Sequence, residues 1–312
     1  MSIQKSLRLS LVLMACLPLI FLTIFTYNLS YKKYMDLATQ STVELAKNYG
    51  MGFQSQLNSQ IAEVEGLANG TNIQNLVLEN YNGVTLGNDS PYYTNVTDLF
   101  ATASDYAGNN VNYYLYDVNG YYITSSDNTN TDDWQEHMAI PVEDITETKI
   151  LQCSPLDEIE SIDVVSPIII KSQIVGLIRA NITSRYFGSF IPEDGSAFIM
   201  TNDGGYLFTS TGLTGQRELE TQAFNCLNGA DNAKDYGHLK ASSFKNIYGF
   251  CKLSDSNWLY LIKQQGTQYQ QILATLPITM SITLIIILMI AIWVSRILSA
   301  KYTEPIFTLR DN

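Results

Sequence analysis

Histidine is nearly missing from this chain. His137 and His238 are the two present in 312 residues, and they stand about 100 positions apart. Neither can join the other as a pair of metal ligands on one helix or strand, which removes the common imidazole-based zinc sites. Cysteine is sparse as well, with four in all. Cys16 sits inside an apolar run, and Cys153, Cys226 and Cys251 form an odd set without metal-ligand spacing. Buried thiols are the expected state, with a Cys226–Cys251 disulfide as the alternative. No G-x-S-x-G elbow and no glycine-rich phosphate loop occurs. The acidic group Asp132, Asp133 and Glu136 lacks the alternating ligand register of a Ca²⁺ loop and reads as solvated loop. These absences leave no catalytic constellation, no metal site and no cofactor, so the chain is not expected to be an enzyme.

Positive charge is also in deficit. Lys and Arg number 18 against 30 Asp and Glu, a net charge of −12. Such a balance excludes nucleic acid as a partner. At 15% charged and 46% hydrophobic, with 20 Tyr and 12 Phe, the chain can still build a core and is too apolar for a disordered tail.

What the sequence does have is two long apolar segments near its ends, the first from about Leu7 to Tyr27 and the second at 272–294. Each is long enough to cross about 30 Å of hydrocarbon at about 1.5 Å per residue, and neither has a charge near its centre. The first has Lys5 and Arg8 before it, as a secretory signal would, but IFTYNLSYKKY follows with no small-x-small cleavage site. It reads as an uncleaved anchor. Lys5 and Arg8 precede the first segment, and Arg296, Lys301 and Arg310 follow the second. Both tails are therefore expected in the cytoplasm, although Lys32 and Lys33 weaken the bias. Setting aside those five basic residues, and Glu304 and Asp311, leaves 13 basic and 28 acidic side chains, so the intervening part carries about −15. That part is expected to be extracytoplasmic, in a two-pass protein of the cell membrane.

From 28 to about 80 the pattern is helical. Phe53, Leu57, Ile61, Val64 and Leu67 make one apolar stripe, and proline is absent. The first membrane helix is expected to continue outward as a stalk, its stripe packing on its own domain or on a second copy. The turn-rich NYNGVTLGNDSPYY ends it. Short strands follow. Segments 111–116 and 121–126 flank Asp117-Val118-Asn119-Gly120, a hairpin signal. A second hairpin pairs 162–170 with 174–182, a third pairs 198–200 with 206–209, and a fourth pairs 239–244 with 248–253, before a last strand at 258–262. The first and third hairpins align, with Gly120 on Gly204, Tyr122 on Tyr206 and Ser126 on Ser210, each 84 positions apart. An internal repeat of that length points to two copies of one α+β module.

The outward stalk helix, YYLYDVNGYYITSS, Asp163-Val-Val-Ser-Pro-Ile168, the run from Ile174 to Ile182, Gly195-Ser-Ala-Phe-Ile-Met-Thr-Asn-Asp-Gly-Gly205 and Asn257-Trp-Leu-Tyr-Leu-Ile262 occur in this order between the apolar segments. In that order the chain resembles the double Cache sensor region of bacterial transmembrane receptors, over about residues 30 to 270. Ser295-Arg-Ile-Leu and Glu304-Pro-Ile-Phe-Thr-Leu309 resemble the first turns of a HAMP signalling helix. The resemblance implies an α+β fold: a long stalk helix and two tandem PAS-like antiparallel-sheet modules between two transmembrane helices. The division expected is a cytoplasmic N-terminus at 1–8, a transmembrane helix at 9–27, stalk and membrane-distal module at 28–190, membrane-proximal module at 191–270, a second transmembrane helix at 272–294 and a HAMP-like start at 295–312. It implies a small-molecule sensor acting as a homodimer, its output module lying outside these residues. The stalk stripe is the candidate dimer interface.

Alternation places Tyr114 and Tyr116 on one face of their strand, and with Tyr122 they are candidates to line a pocket. In the amino-acid-binding Cache subgroup an Arg-x-Trp-Tyr element and two later acids hold the ligand. By resemblance Trp134 matches the Trp, but Asp132 and Gln135 stand where Arg and Tyr would be, Asp157 takes the place of the first acid and Asn181 replaces the second. Without that bidentate clamp for a carboxylate, a neutral or cationic ligand is expected, aided by cation–π contact. The expected ligand-binding set is thus Tyr114, Tyr116, Tyr122, Trp134, Asp157 and Asn181. The alternative is an adhesion or scaffold protein binding an extracellular macromolecule, which has no need of a helix-continuation motif such as 305–309.

Overall fold

The expected stalk is realised as helix α1 (Ile3–Ala68), unbroken from the first apolar segment despite Pro18. A computed structural model describes residues 3–83, 90–127, 140–152, 161–192, 196–208, 213, 216–228, 235–240, 246–265, 275, 277–294 and 296–297, with side chains on α1 from Leu17 onward except residue 19. The chain divides into two compact units: 1–41, 243–247 and 265–312 in one, 42–242 and 248–264 in the other.

The first unit includes the start of α1 and the later helix α5 (Pro277–Val294), whose 18 residues have a mean hydropathy of 2.5. Among the described residues α5 is the one helix long and apolar enough to cross a membrane. On α1 the described apolar side chains Phe21, Leu22 and Phe25 are exposed, as are Met289 and Trp293 on α5.

In the second unit α1 supplies a buried line, Ala46, Gly50, Phe53, Leu57, Gln60, Val64 and Ala68, at three- and four-residue steps. Phe53, Leu57 and Val64 are fully buried, and Ile61 and Leu67 pack against the same cluster. That cluster also takes residues from both sheets, so the stripe is filled by the chain's own strands. The expectation that the stripe is a dimer interface is corrected for this reason: its apolar surface is already removed from solvent within one chain. At Phe53 the ring meets Phe187 at 4.5 Å and Tyr260 at 6.4 Å between centroids.

Helix α1 ends at Asn69 and Gly70, and α2 (Thr71–Tyr81) follows as a separate helix. Helix α3 (Pro91–Tyr106) starts where Ser90 accepts a hydrogen bond from the Tyr93 amide at 3.4 Å and Pro91 occupies the first turn. It buries Val96, Phe100 and Ser104, a four-residue repeat that the sequence reading passed over.

Two five-stranded antiparallel sheets follow. The first is ordered β2-β1-β5-β4-β3, from β1 (Val111–Asp117), β2 (Tyr122–Ser125), β3 (Lys149–Gln152), β4 (Ser161–Ile170) and β5 (Gln173–Thr183). The second is ordered β7-β6-β10-β9-β8, from β6 (Ala197–Met200), β7 (Tyr206–Leu207), β8 (Tyr236–Leu239), β9 (Asn246–Leu253) and β10 (Trp258–Gln265). Strand for strand, the two topologies coincide, which bears out the internal repeat. Even the register repeats: Tyr116 pairs with Tyr122, and 84 positions on Met200 pairs with Tyr206. Gly120 and Gly204 both turn at positive φ, +84° and +89°, where a Cβ would strain the backbone.

The β4–β5 turn is Lys171-Ser172, both at positive φ, as a two-residue hairpin loop of the primed type requires. The fourth hairpin departs from expectation. Its first strand as described is Tyr236–Leu239, with Leu239 paired to Tyr248, and the rest of the expected 239–244 segment from 241 on lies outside the described residues. Helix α4 (Arg217–Asn228) covers one face of the second sheet through Leu219, Ala223 and Leu227. Gly249 lets β9 approach α1, since a Cβ there would stand 2.5 Å from the Thr42 carbonyl oxygen. Cys226 and Cys251 are free thiols, half-buried and buried respectively, so no disulfide joins them.

Candidate functional site

Alternation divides the first sheet into two chemically different faces. One carries Val111, Tyr113 and Leu115 of β1 with Ile178, Ala180 and Ile182 of β5, and it packs into the core around α1. The other carries Tyr114 and Tyr116 of β1, Leu177, Arg179 and Asn181 of β5, and Asp163 and Val165 of β4. Strand pairing sets these in rows: Tyr114 lies opposite Arg179 and Tyr116 opposite Leu177, while Asp163 lies opposite Asn181. Part of this second face is apolar, with Tyr116, Val142, Ile145, Val165 and Leu177 clustered under the segment around a 3₁₀ turn at Val142–Asp144.

At the centre is a buried charged group. The Arg179 guanidinium lies 3.1 Å from Asp163 Oδ1 through Nε, with the two side chains 8% and 0% exposed. Arg179 Nη1 donates to the Tyr116 hydroxyl at 3.3 Å, and its guanidinium carbon stands 5.1 Å from the centre of the Tyr114 ring. Asn181 Nδ2 donates to Asp163 Oδ1 at 2.8 Å and to Ser161 Oγ at 3.0 Å. Burial by itself would lower the Arg179 pKa, but the Asp163 carboxylate, helped by Tyr116, outweighs it and holds the guanidinium more firmly charged than usual. The pair therefore presents a neutral dipole below two stacked tyrosines, Tyr114 and Tyr116, at 6.5 Å between centroids.

Tyr122 completes the aromatic set, edge-on to Tyr116 at 6.5 Å. Its hydroxyl shares a 2.8 Å hydrogen bond with Ser125 Oγ, which itself donates to Asp127 Oδ1 at 2.7 Å. With the Ser125 proton so committed, Tyr122 is the donor of the first bond. Burial pushes the Tyr122 pKa up, the Ser125 hydrogen bond opposing it.

Four of the six expected residues, Tyr114, Tyr116, Tyr122 and Asn181, thus share one face. Trp134 and Asp157 lie outside the described residues, as do Cys153 and the HAMP-like stretch at 298–312. Arg179 and Asp163 were missed. Their signal was present: each is the one charged residue of its strand, and Arg179 stands two positions from Asn181.

The second sheet offers a comparison within the same chain. Tyr114 and Arg179 form a row in the first sheet, and the matching row in the second is Phe198 and Leu261. Met200 and Leu259 likewise replace Tyr116 and Leu177. All four are buried under α4 in an apolar cluster. One fold occurs twice, and the arginine row occurs in the first copy.

Comparison with known proteins places this architecture. No protein-family model matches the chain, and no curated protein sequence matches it either. Among solved structures it is similar to the ligand-binding domain of the Campylobacter jejuni chemoreceptor Tlp3 in complex with L-valine: TM-score 0.50 at 13% identity, over 76% of this chain and 96% of that one. It is similar to the extracellular domain of a protein assigned as the histidine kinase soHK1S-Z6, with a TM-score of 0.52 at 10% identity, over 77% and 97% of the two chains. A third likeness is to the ligand-binding domain of the Pseudomonas aeruginosa amino acid chemoreceptor PctB with L-arginine, TM-score 0.50 at 16% identity, over 78% and 93%. The chain therefore has the fold of chemoreceptor and histidine-kinase sensor domains, and the double Cache expectation is borne out at the level of fold.

Proposed function

We propose that this protein is a membrane-anchored extracytoplasmic sensor that binds a small molecule on the tyrosine face of its first sheet. The observation carrying the reading is the contrast between the two sheets. Where the first sheet has Tyr114, Tyr116 and Arg179, the last paired with a buried Asp163, the second has Phe198, Met200 and Leu261 in an apolar cluster. Burying a charged pair costs more than burying leucine, so stability alone does not account for it. The solved relatives with ligands in their names support a ligand-sensing role.

The ligand is neutral or cationic, because Asp163 already neutralises Arg179 and the rings suit cation–π or stacking contact. Tyr114, Tyr116, Tyr122 and Asn181 contact it, joined by Trp134 and Asp157. The first sheet belongs to a membrane-distal module at 28–190 and the second to a proximal module at 191–270. Both apolar helices span the cell membrane with the two termini cytoplasmic, and the exposed Phe21, Phe25, Met289 and Trp293 side chains support lipid contact. Ligand binding shifts the helices by the difference in its affinity for two arrangements. The protein works as a homodimer. With the stalk stripe filled, pairing uses the exposed line Met51, Ser55, Ser59, Ala62 and Gly66, which carries no charge.

The test is a thermal-shift screen of the full chain in nanodiscs against amino acids, amines, sugars, nucleosides and carboxylates. A ligand at 100 times its Kd adds about 2.7 kcal/mol, enough to raise the midpoint by a few degrees. A shift lost in Tyr114→Ala and in Trp134→Ala supports the sensor. A folded protein that no compound stabilises supports the adhesion reading.

A further inference from the structure

A concavity lies at one end of the same sheet. There the last turn of α2, the β1–β2 turn, the β4–β5 turn and the 3₁₀ turn converge on a cleft of about 740 Å³. That volume is within the range of small-molecule sites. It lies beyond the arginine row: Gln173, on its rim, is six residues along β5 from Arg179, about 20 Å at about 3.3 Å per residue, while Ile174 and Asp117 of its lining adjoin the cluster that holds Tyr116.

Its lining has an unusual composition. Tyr81, the last residue of α2, borders the cleft with 62% of its surface exposed. Three side-chain amides, Asn80, Asn119 and Gln173, come from three different elements, and Asp117 and Glu143 add carboxylates. Val118, Ile174 and Val175 supply an apolar part. The Asp117 carboxylate is held in place, because Oδ1 accepts hydrogen bonds from the Asn119 and Tyr121 amides at 2.8 and 2.9 Å. Among the described residues the lining includes no Lys or Arg.

We propose that this cleft is a second ligand site, for a neutral saccharide. An aromatic ring lying open beside a concavity offers a flat apolar surface to the C–H face of a pyranose. Amides supply both donors and acceptors and carboxylates supply acceptors, matching a ring of hydroxyl groups that both donate and accept. The lack of a cationic side chain disfavours phosphorylated and carboxylated compounds. An apolar ligand would leave the amides and carboxylates unpaired.

The experiment uses the full chain in nanodiscs prepared without glycosidic detergent. Glucose, galactose, N-acetylglucosamine, maltose and cellobiose are titrated by saturation-transfer NMR, with putrescine, glucose 6-phosphate and glucuronate as counter-probes. At least one neutral sugar is expected to bind, at least tenfold more weakly in Tyr81→Ala and with affinity restored in Tyr81→Trp. Asn119→Ala is expected to weaken it as well, and Tyr114→Ala to leave it unchanged, so failure here is distinguishable from failure of the tyrosine-face reading. Binding that Tyr114→Ala abolishes and Tyr81→Ala spares would overturn the proposal. So would binding of putrescine or the anionic sugars alone, or no binding of any neutral sugar.

Discussion

Arg179 shows how one side chain changes the character of a sheet. Removing it leaves the Asp163 carboxylate buried without its countercharge, whereas removing both members replaces them with apolar volume. Arg179→Met is expected to cost about 3–5 kcal/mol, and Arg179→Met with Asp163→Leu considerably less. Chemical denaturation of the two variants checks this. Asp203 makes a smaller, pH-dependent contribution. The Thr201 hydroxyl, with the Gly205 amide, holds its carboxyl below the usual range against the opposing effect of burial. A depressed folded pKa means stability that is present above the unfolded value of about 3.9 and lost as the pH falls through the folded one. Acid unfolding of Asp203→Asn is therefore expected to be less steep below about pH 4. The two described thiols behave oppositely to reactive ones: burial pushes both pKa values up, with Lys252 opposing at Cys226 and Lys47 at Cys251. Peptide-resolved alkylation of the native protein at pH 8 is expected to be slow, with Cys226 ahead of the buried Cys251.

Among the elements, α1 organises the second unit. Phe53 touches Phe187 from the connection between the sheets and Tyr260 from the second sheet. Phe53→Ala is expected to destabilise by about 3–5 kcal/mol and to lower the midpoint of the whole unit in one transition, measurable by calorimetry. Much of this was legible beforehand. The three-and-four spacing of Phe53, Leu57 and Val64 identified the helix face, and Asn119-Gly120 and Asp203-Gly204 located two hairpins. The register also repeats, apart from a bulge after Leu115. Helices α3 and α4 were not foreseen, although Val96–Phe100 and Leu219–Ala223–Leu227 repeat at helical spacing. Both are short and polar on one side, and their apolar content is too small to stand out from the neighbouring strands. What covers the stalk stripe was not legible either, because helical periodicity marks a face to be buried without naming its cover.

For the whole molecule, the two apolar segments and the basic tails lead to one expectation. A cysteine placed by Tyr106→Cys, at a site 89% exposed, should react with a membrane-impermeant maleimide in intact cells. One placed by Ser2→Cys should react only after permeabilisation. Labelling of the second site in intact cells would contradict the two-pass arrangement. The fold itself is met in known sensor domains at 10–16% identity.

Several properties followed from the sequence by itself. Local chemistry determined the strands, turns and long helix, since backbone conformation at Gly120 or Lys171-Ser172 and side-chain alternation depend on neighbours along the chain. Composition set the acidic charge. Tertiary structure decided which alternating residues meet the buried charged pair. Tyr114 and Phe198 occupy the same position in the two repeats, and only pairing across β1, β5 and β4 brings Tyr114 together with Arg179 and Asp163. It also decided that the stalk stripe lies within its own chain. Both outcomes depend on contacts between residues far apart in sequence, which periodicity along the chain does not encode.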